Sequence, residues 1–276
     1  MSSRPILRLN DGFDHTSPHL RDEVKELQEL LRARGFNITA DGFFGRSTED
    51  AVKRVQRDLG LDDDGLVGPV TWAALLGQPE PVLDTIFDTT IARNDRSMTD
   101  QFLEASKYKP FIDDVQLTHG YQISVIGGIG SRESHWGLIL RPKGPGGSGD
   151  FTHRNNHPTA HRNGPVPADG HGFGRGLMQI DFDFHEFARG DKWGIAEENI
   201  RYAGTVLADS ERFLKRRTDL TGRELLRGTL AAYNAGPGNV LRAIRDGRDV
   251  DFYTTGRDYS RDVLNRAGFF QLKGWE

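Results

Sequence analysis

The stretch Y-Q-I-S-V-I-G-G-I-G-S-R-E-S-H-W-G, residues 121–137, is where the fold and the chemistry of this chain meet. Val125, Ile126, Ile129 and Trp136 recur at helical spacing, which predicts a helix with one apolar face. Glu133 stands four residues after Ile129 and seven after Ile126, on that same face. Burial disfavours the charged form of a carboxyl and raises its pKa. A carboxyl that keeps its proton near neutral pH is a usable general acid. Gly127, Gly128 and Gly130 each weaken a helix by about 1 kcal/mol relative to Ala. Their expected use is close approach of a neighbouring element or a ligand. Taken alone, the stretch reads equally as a core helix whose last turn carries a solvated or ion-paired Glu.

The bulk composition narrows the classes. The chain has 276 residues, enough for one large domain or two smaller ones, and 28% charged against 36% hydrophobic residues fits a globular protein with a polar surface. A formal charge of -4 argues against a nucleic-acid binder that works by general attraction to phosphate. Without cysteine there are no disulfides and no thiolate metal sites. No apolar run is long enough to span a bilayer, so membrane insertion is not expected. The opening M-S-S-R-P-I-L-R-L-N-D-G lacks the apolar core of a secretory signal, so synthesis in a cytoplasm, with release to any outer target by another route, is the expectation.

Residues 1–17 read as an N-terminal extension. Leu20, Val24, Leu27, Leu30 and Leu31 then form the stripe of a helix over 20–34, ended by Gly35. D-G-F-F-G-R-S-T-E-D-A-V at 41–52 recurs as D-G-L-V-G-P-V-T-W-A-A-L at 64–75, with Asp41/Asp64, Gly42/Gly65, Gly45/Gly68, Thr48/Thr71 and Ala51/Ala74 in register. Each copy predicts a tight Asp-Gly turn followed by a short helix. These pieces, with L-Q-E-L-L at 27–31 and A-V-x-x-V-Q at 51–56, resemble the N-terminal peptidoglycan-binding module of bacterial and phage wall hydrolases. The resemblance implies a three-helix module at 18–77 that binds wall peptide or glycan around Asp41, Phe43, Phe44, Asp64 and Trp72. Each of these residues reads equally as part of a small domain's core.

G-Q-P-E-P-V marks a stiff linker, placed at 78–83, and the larger domain runs over 84–276. Helical periodicity resumes near Asp84 with Ile86, Phe87 and Ile91, then over 99–118, then in the Glu133 stretch. Residues 141–176, rich in Gly, Pro, His and Asn, predict a long irregular segment, and such segments are commonly functional. Helices follow at 197–216, 221–233, 237–246 and 257–267, with Gly236-Pro237 separating the second from the third.

Three acids stand out: Glu133 on its apolar face, and Asp169 and Asp181 flanking a Gly-rich run. Cleaving a glycosidic bond needs one carboxyl to protonate the leaving oxygen and a second to hold water or act as nucleophile. Glycines at 170, 172, 174 and 176 would let a backbone lie close to a polymer, and Tyr233 and Asn234 precede a helix break where they can reach the same cleft. An Asp in such a loop is also ordinary turn chemistry. His153, His157 and His161 stand four apart, but Pro158 and nearby Asn and Gly make a metal-binding helix face a poor reading, so no metal and no cofactor are expected. Arg212, Lys215, Arg216 and Arg217 read as a solvated helix end.

S-V-I-G-G-I-G-S-R-E-S-H-W-G at 124–137 is similar to the acid-bearing helix of goose-type lysozymes. G-L-M-Q-I-D at 176–181, T-L-A-A-Y-N-A-G-P-G-N-V at 229–240 and T-T-G-R-D-Y-S-R-D-V-L-N-R-A at 254–267 resemble that family's later motifs, in the same order. The resemblance implies a mainly α, lysozyme-like domain that cleaves the β-1,4 bond between N-acetylmuramic acid and N-acetylglucosamine in glycan strands. It implies Glu133 as general acid, Asp181 and Asp169 as holders of the attacking water, and Gln179 and Met178 along the sugar. It also implies Tyr233 and Asn234 at the cleaved residue, Tyr259 behind the acid, and His135 beside the cleft. Gly174-Arg175-Gly176 is longer than the family's usual run, and the insert at 141–167 has no family counterpart. The related lytic transglycosylases share the core motifs and form 1,6-anhydro ends. A zinc peptidase using the loop histidines and a non-catalytic wall binder are the more distant alternatives. A wall-binding module joined to such a domain resembles a modular phage endolysin, expected to act as a monomer.

Overall fold

The computed structural model describes residues 4–61, 63–78, 87–154 and 167–275. Residues 79–83 of the expected linker at 78–83, and His157 and His161, lie outside the described residues. The chain divides into two compact units: Met1–Thr85 with Ala92–Asp95 and Gln271–Trp275, and Ile86–Ile91 with Arg96–Phe270.

The first unit holds α1 (Arg21–Ala33), α2 (Arg46–Asp58) and α3 (Pro69–Leu75) around Leu7, Val24, Leu27, Leu31, Phe44, Val52, Val55, Val67, Trp72 and Leu75. The internal repeat is a repeated hydrogen-bond clasp. Gln28 Nε2 donates to Asp41 Oδ1 (2.9 Å), the Phe43 carbonyl (3.0 Å) and Thr48 Oγ1 (3.1 Å), while Gly42 N donates back to Gln28 Oε1 (2.8 Å). Gln56 does the same to Asp64 (3.0 Å), the Leu66 carbonyl (2.8 Å) and Thr71 (3.3 Å), and accepts from Gly65 N (2.9 Å). Both glutamines are buried, so each amide closes its Asp-Gly turn with bonds that water cannot replace. Asp and Thr recur because the glutamine needs an acceptor on either side.

The second unit is built around α6 (Ile123–Ser134), whose Ile123–Ser131 stretch and Ser134 are buried. α4 (Arg96–Ser106) and α5 (Lys109–His119) pack against it; α7 (Ala196–Lys215) packs on α5 and α8 (Gly222–Ala235), and α8 on α9 (Pro237–Arg245). The expected helix at 99–118 is two helices: Pro110 enters at the start of α5, lacking the N–H that a continuous helix would need. Residues 87–91 are not helical; there Thr90 N donates to Asn265 Oδ1 on α10 (Tyr259–Leu272) at 2.7 Å.

The three α6 glycines face protein rather than ligand. A Cβ on Gly127 would lie 2.6 Å from the Phe270 ring, on Gly128 2.5 Å from the Val263 carbonyl, and on Gly130 2.5 Å from the Trp136 ring. Trp136 is not on the helix, as its spacing predicts. The chain turns left-handed at His135 (φ 49°) and Trp136 (φ 55°), folding the indole back so that Nε1 donates to the Gly127 carbonyl (3.0 Å). Between α6 and α7 lie three two-residue antiparallel strands in the order β1-β2-β3: β1 (Ser148–Gly149), β2 (Gly174–Arg175) and β3 (Ile180–Asp181). Gly149 pairs with Gly174, and Gly174 with Asp181.

Gly128→Ala should gain about 1 kcal/mol of helix propensity but force α10 away at a rigid carbonyl, for a net loss of about 1–3 kcal/mol. Urea denaturation of the full chain measures it; an unchanged or raised midpoint would show that α10 yields freely.

Candidate active site

Glu133 sits in the last turn of α6, one residue before Ser134, whose Oγ donates to the Leu177 carbonyl (2.6 Å) in the turn between β2 and β3. Tyr233, near the end of α8, donates its hydroxyl to the Met178 carbonyl in the same turn (2.7 Å). Two hydroxyls from two helices therefore fix this turn beside the acid. Tyr259, at the start of α10 and 1% exposed, donates its hydroxyl to Glu133 Oε1. Desolvation pushes the Glu133 carboxyl up to about 7; the Tyr259 hydrogen bond and the Arg132 charge pull the other way and lose. Burial, followed by the nearby Glu133 charge, holds both Tyr233 and Tyr259 phenols well above their ordinary range, so both remain donors. Arg132 itself is turned to Asp262 (2.9 Å) and Asp258 (3.4 Å).

The strands bring further carboxylates together. Asp181 on β3 is gripped by Arg154: Nη2 reaches Oδ2 at 2.8 Å and Nη1 reaches Oδ1 at 3.2 Å. The same guanidinium bonds Asp150, just past β1, and Asp183 Oδ2 at 2.9 Å, and lies 4.0 Å over the Phe173 ring. Asp183 N donates to Asp181 Oδ1 (2.8 Å). His185 Nδ1 meets the Tyr202 hydroxyl at 3.1 Å; burial lowers its pKa, with the Asp181 charge opposing.

Several residues singled out by sequence stand elsewhere. Asp169 is exposed and engaged on its own loop and on β2: Oδ1 accepts from Arg175 Nη2 (2.9 Å) and His171 N (3.1 Å). That guanidinium is not the one gripping Asp181, so the pairing expected of Asp169 is made by Asp150. Asp150 was hidden in the sequence because it lies inside the 141–167 stretch, which carries no family motif. Its one signal is the preceding Gly149, which carries the strand register onto Gly174. Arg154 and Asp183 have no motif that marks them. Met178 is fully buried and offers the site only its backbone; Met178 N donates to Asn199 Oδ1 (2.8 Å). Gln179 lies over the strand glycines, since a Cβ on Gly149 or Gly174 would be 2.3 or 2.2 Å from its Oε1, and Nε2 donates to the Gly176 carbonyl (2.8 Å). Asn234 is exposed and accepts from Thr255 N (2.9 Å). His135 is half-buried at the helix cap, with burial lowering its pKa.

In the first unit, Asp41 and Asp64 are consumed by the glutamine clasps, and Asp64 also pairs with Lys273 (2.8 Å). Phe44 and Trp72 are core, with Trp72 Nε1 donating to the Pro5 carbonyl (2.9 Å). The recurrence of Asp41 and Asp64 is accounted for by the glutamine clasps. Phe43 alone of the five keeps a partly open ring, next to Phe13 (5.0 Å) and under Arg21 (4.9 Å). Among the described residues no cluster of His, Asp and Glu is arranged to hold a metal, and no helix is long and apolar enough to cross a membrane.

Comparison with known proteins bears on both units. The peptidoglycan binding domain family matches residues 21–75, and the Lysozyme g family matches residues 154–274. Lysozyme g of Gallus gallus is 34% identical over 171 residues, covering 62% of this chain and 66% of its own length. Lysozyme g of Struthio camelus is 31% identical over 169 residues, covering 61% of this chain and 68% of its own. The chain thus spans about two thirds of the length of these curated relatives. The crystal structure of a Burkholderia AP3 phage endolysin matches over 97% of this chain and 99% of its own, at 17% identity and a TM-score of 0.24.

The raised Glu133 pKa has a stability cost. The folded protein keeps a proton that the unfolded chain releases near 4.5, so this stabilisation is complete below 4.5 and is lost as pH rises through about 7. Glu133→Gln, which carries no charge to bury, should therefore be about 3 kcal/mol more stable than the parent at pH 8 and nearly equal to it at pH 4. Denaturation curves at the two pH values check this; equal differences at both would show that Glu133 is not desolvated.

Proposed function

The chain belongs to the lysozyme g family, and on that premise we propose that it cleaves the β-1,4 bond between N-acetylmuramic acid and N-acetylglucosamine of peptidoglycan by inverting hydrolysis. The observation that carries this reading is a division of labour among carboxyls. Glu133 sits desolvated against a phenol and holds its proton to about 7, while Asp150 and Asp181 share a guanidinium a short way along the chain's hairpin. Environments that separate two carboxyls in this way assign acid and base. Glu133 gives its proton to the bridging oxygen as the glycosidic bond breaks, and positive charge spreads over the anomeric carbon and ring oxygen. Water attacks from the opposite face of the sugar, and its proton passes to Asp181 or Asp150. Glu133 then recovers a proton from solvent. Tyr259 keeps the acid in one orientation, and Tyr233 holds the hairpin turn against it.

Residues 18–77 act as a wall-binding module in this reading, supported by the family match at 21–75. Phe43, with Phe13 and Arg21 beside it, is the aromatic of the suggested set with a partly open ring, and Asp41 close by in the chain is exposed. An aromatic face of this kind suits the apolar side of a sugar or peptide. The make-up is that of a modular endolysin acting as a monomer on the wall.

Glu133→Gln should lower glycan cleavage by about 10⁴-fold, and Asp181→Asn and Asp150→Asn by about 10²-fold each. Mass spectrometry of fragments from purified peptidoglycan reads both rate and product. Reducing ends that have gained one water are expected; 1,6-anhydro ends would overturn hydrolysis, and an active Glu133→Gln would overturn the acid.

A further inference from the structure

Arg154 is placed where no motif of the sequence would put a cation. Its guanidinium bonds three carboxylates at once, Asp150, Asp181 and Asp183, the last with only 1% of its side chain exposed. It grips Asp181 by both oxygens, the geometry that a planar guanidinium provides and an ammonium does not. The Phe173 ring, fully buried, lies 4.0 Å beneath it. Buried Asp183 and Phe173 form a floor that fixes the guanidinium, and the guanidinium then presents to the outer two carboxylates.

We propose that Arg154 is the positioning residue for the water-holding pair: it sets Asp150 and Asp181 side by side in one orientation and balances their charge. This rests on the reading of those two carboxylates as holders of the attacking water. Three carboxylates within reach of one another repel, and a cation bonded to all three offsets that repulsion. Among the described residues, the other charged or titratable groups around the cluster are His185, which feels the Asp181 charge, and Arg189, which donates to the Phe182 and Asp183 carbonyls rather than to a carboxylate. Neither bonds the outer pair. Arg154 therefore sets the acid side of the working pH range, whereas Glu133 sets the alkaline side.

The test uses the full-length protein and purified peptidoglycan, with pH–rate profiles for the parent, Arg154→Ala and Arg154→Lys and melting curves for each. Arg154→Ala should lower kcat by about 10²-fold through misplacement, with KM little changed, and should move the acid limb up by about one to three pH units. The alkaline limb should stay in place. Arg154→Lys keeps the charge and loses the two-point grip, so it should restore the acid limb but not kcat. Folded Arg154→Ala protein with the parent's kcat and acid limb would overturn the proposal while leaving hydrolysis intact. Equal loss of kcat in both variants with an unmoved acid limb would also overturn it, reducing Arg154 to a structural tie. Anhydro products from the parent would overturn it together with the reading beneath it, and that outcome is told apart by product mass.

Discussion

The hydrogen bond from the Tyr259 hydroxyl to Glu133, made where the carboxyl is largely desolvated, is the constraint around which the larger unit is organised. An acid can be kept protonated to about neutrality only by denying it solvent, and denial requires apolar mass on every side. α6 supplies that mass through Ile126 and Ile129, and Trp136 folds back to close the gap beneath. The partner phenol must come from a different helix, which is why α10 has to approach α6 so closely. The glycines that look like a weakness in α6 are what make that approach feasible: Val263 and Phe270 occupy the space that side chains at 127 and 128 would take.

The hairpin solves a second problem, placing charged carboxylates near an uncharged one without letting them neutralise it. Ser134 and Tyr233 hold the turn through backbone carbonyls, so the position of the strands is set by bonds that carry no net charge. The charge of Asp150 and Asp181 is met by Arg154. Neighbouring residues in one strand-turn-strand thus serve opposite electrostatic ends.

The sequence made some of this legible and hid the rest, for identifiable reasons. Glu133 was readable because an acid on an apolar stripe is costly and the periodicity is unambiguous. Tyr233 and Tyr259 were readable because they lie inside motifs with fixed spacing. Trp136 was misplaced because helical periodicity says nothing of a left-handed turn at a non-glycine residue. The helix over 99–118 was read as one because apolar spacing carried through Pro110, whose effect on the preceding turn is local. Asp150 was hidden for a topological reason. Its place is fixed by pairing between Gly149 and Gly174, and such a pairing across a long insert leaves no periodic trace. In the smaller unit the repeat was visible, but its cause was not. Gln28 and Gln56 lie outside the Asp-Gly blocks they close, so the bonds that tie down Asp41 and Asp64 leave no mark within the blocks themselves.

The pairing of β1 with β2 has a use for anyone wishing to alter this protein. Because Ser148 and Gly149 are hydrogen-bonded partners of Arg175 and Gly174, the two ends of the intervening chain are moored next to each other whatever lies between. The entropy of closing such a loop rises only with the logarithm of its length, about 0.6 kcal/mol per doubling. The length of the connection between β1 and β2 is therefore a freer variable for a protein engineer than any residue within the paired strands.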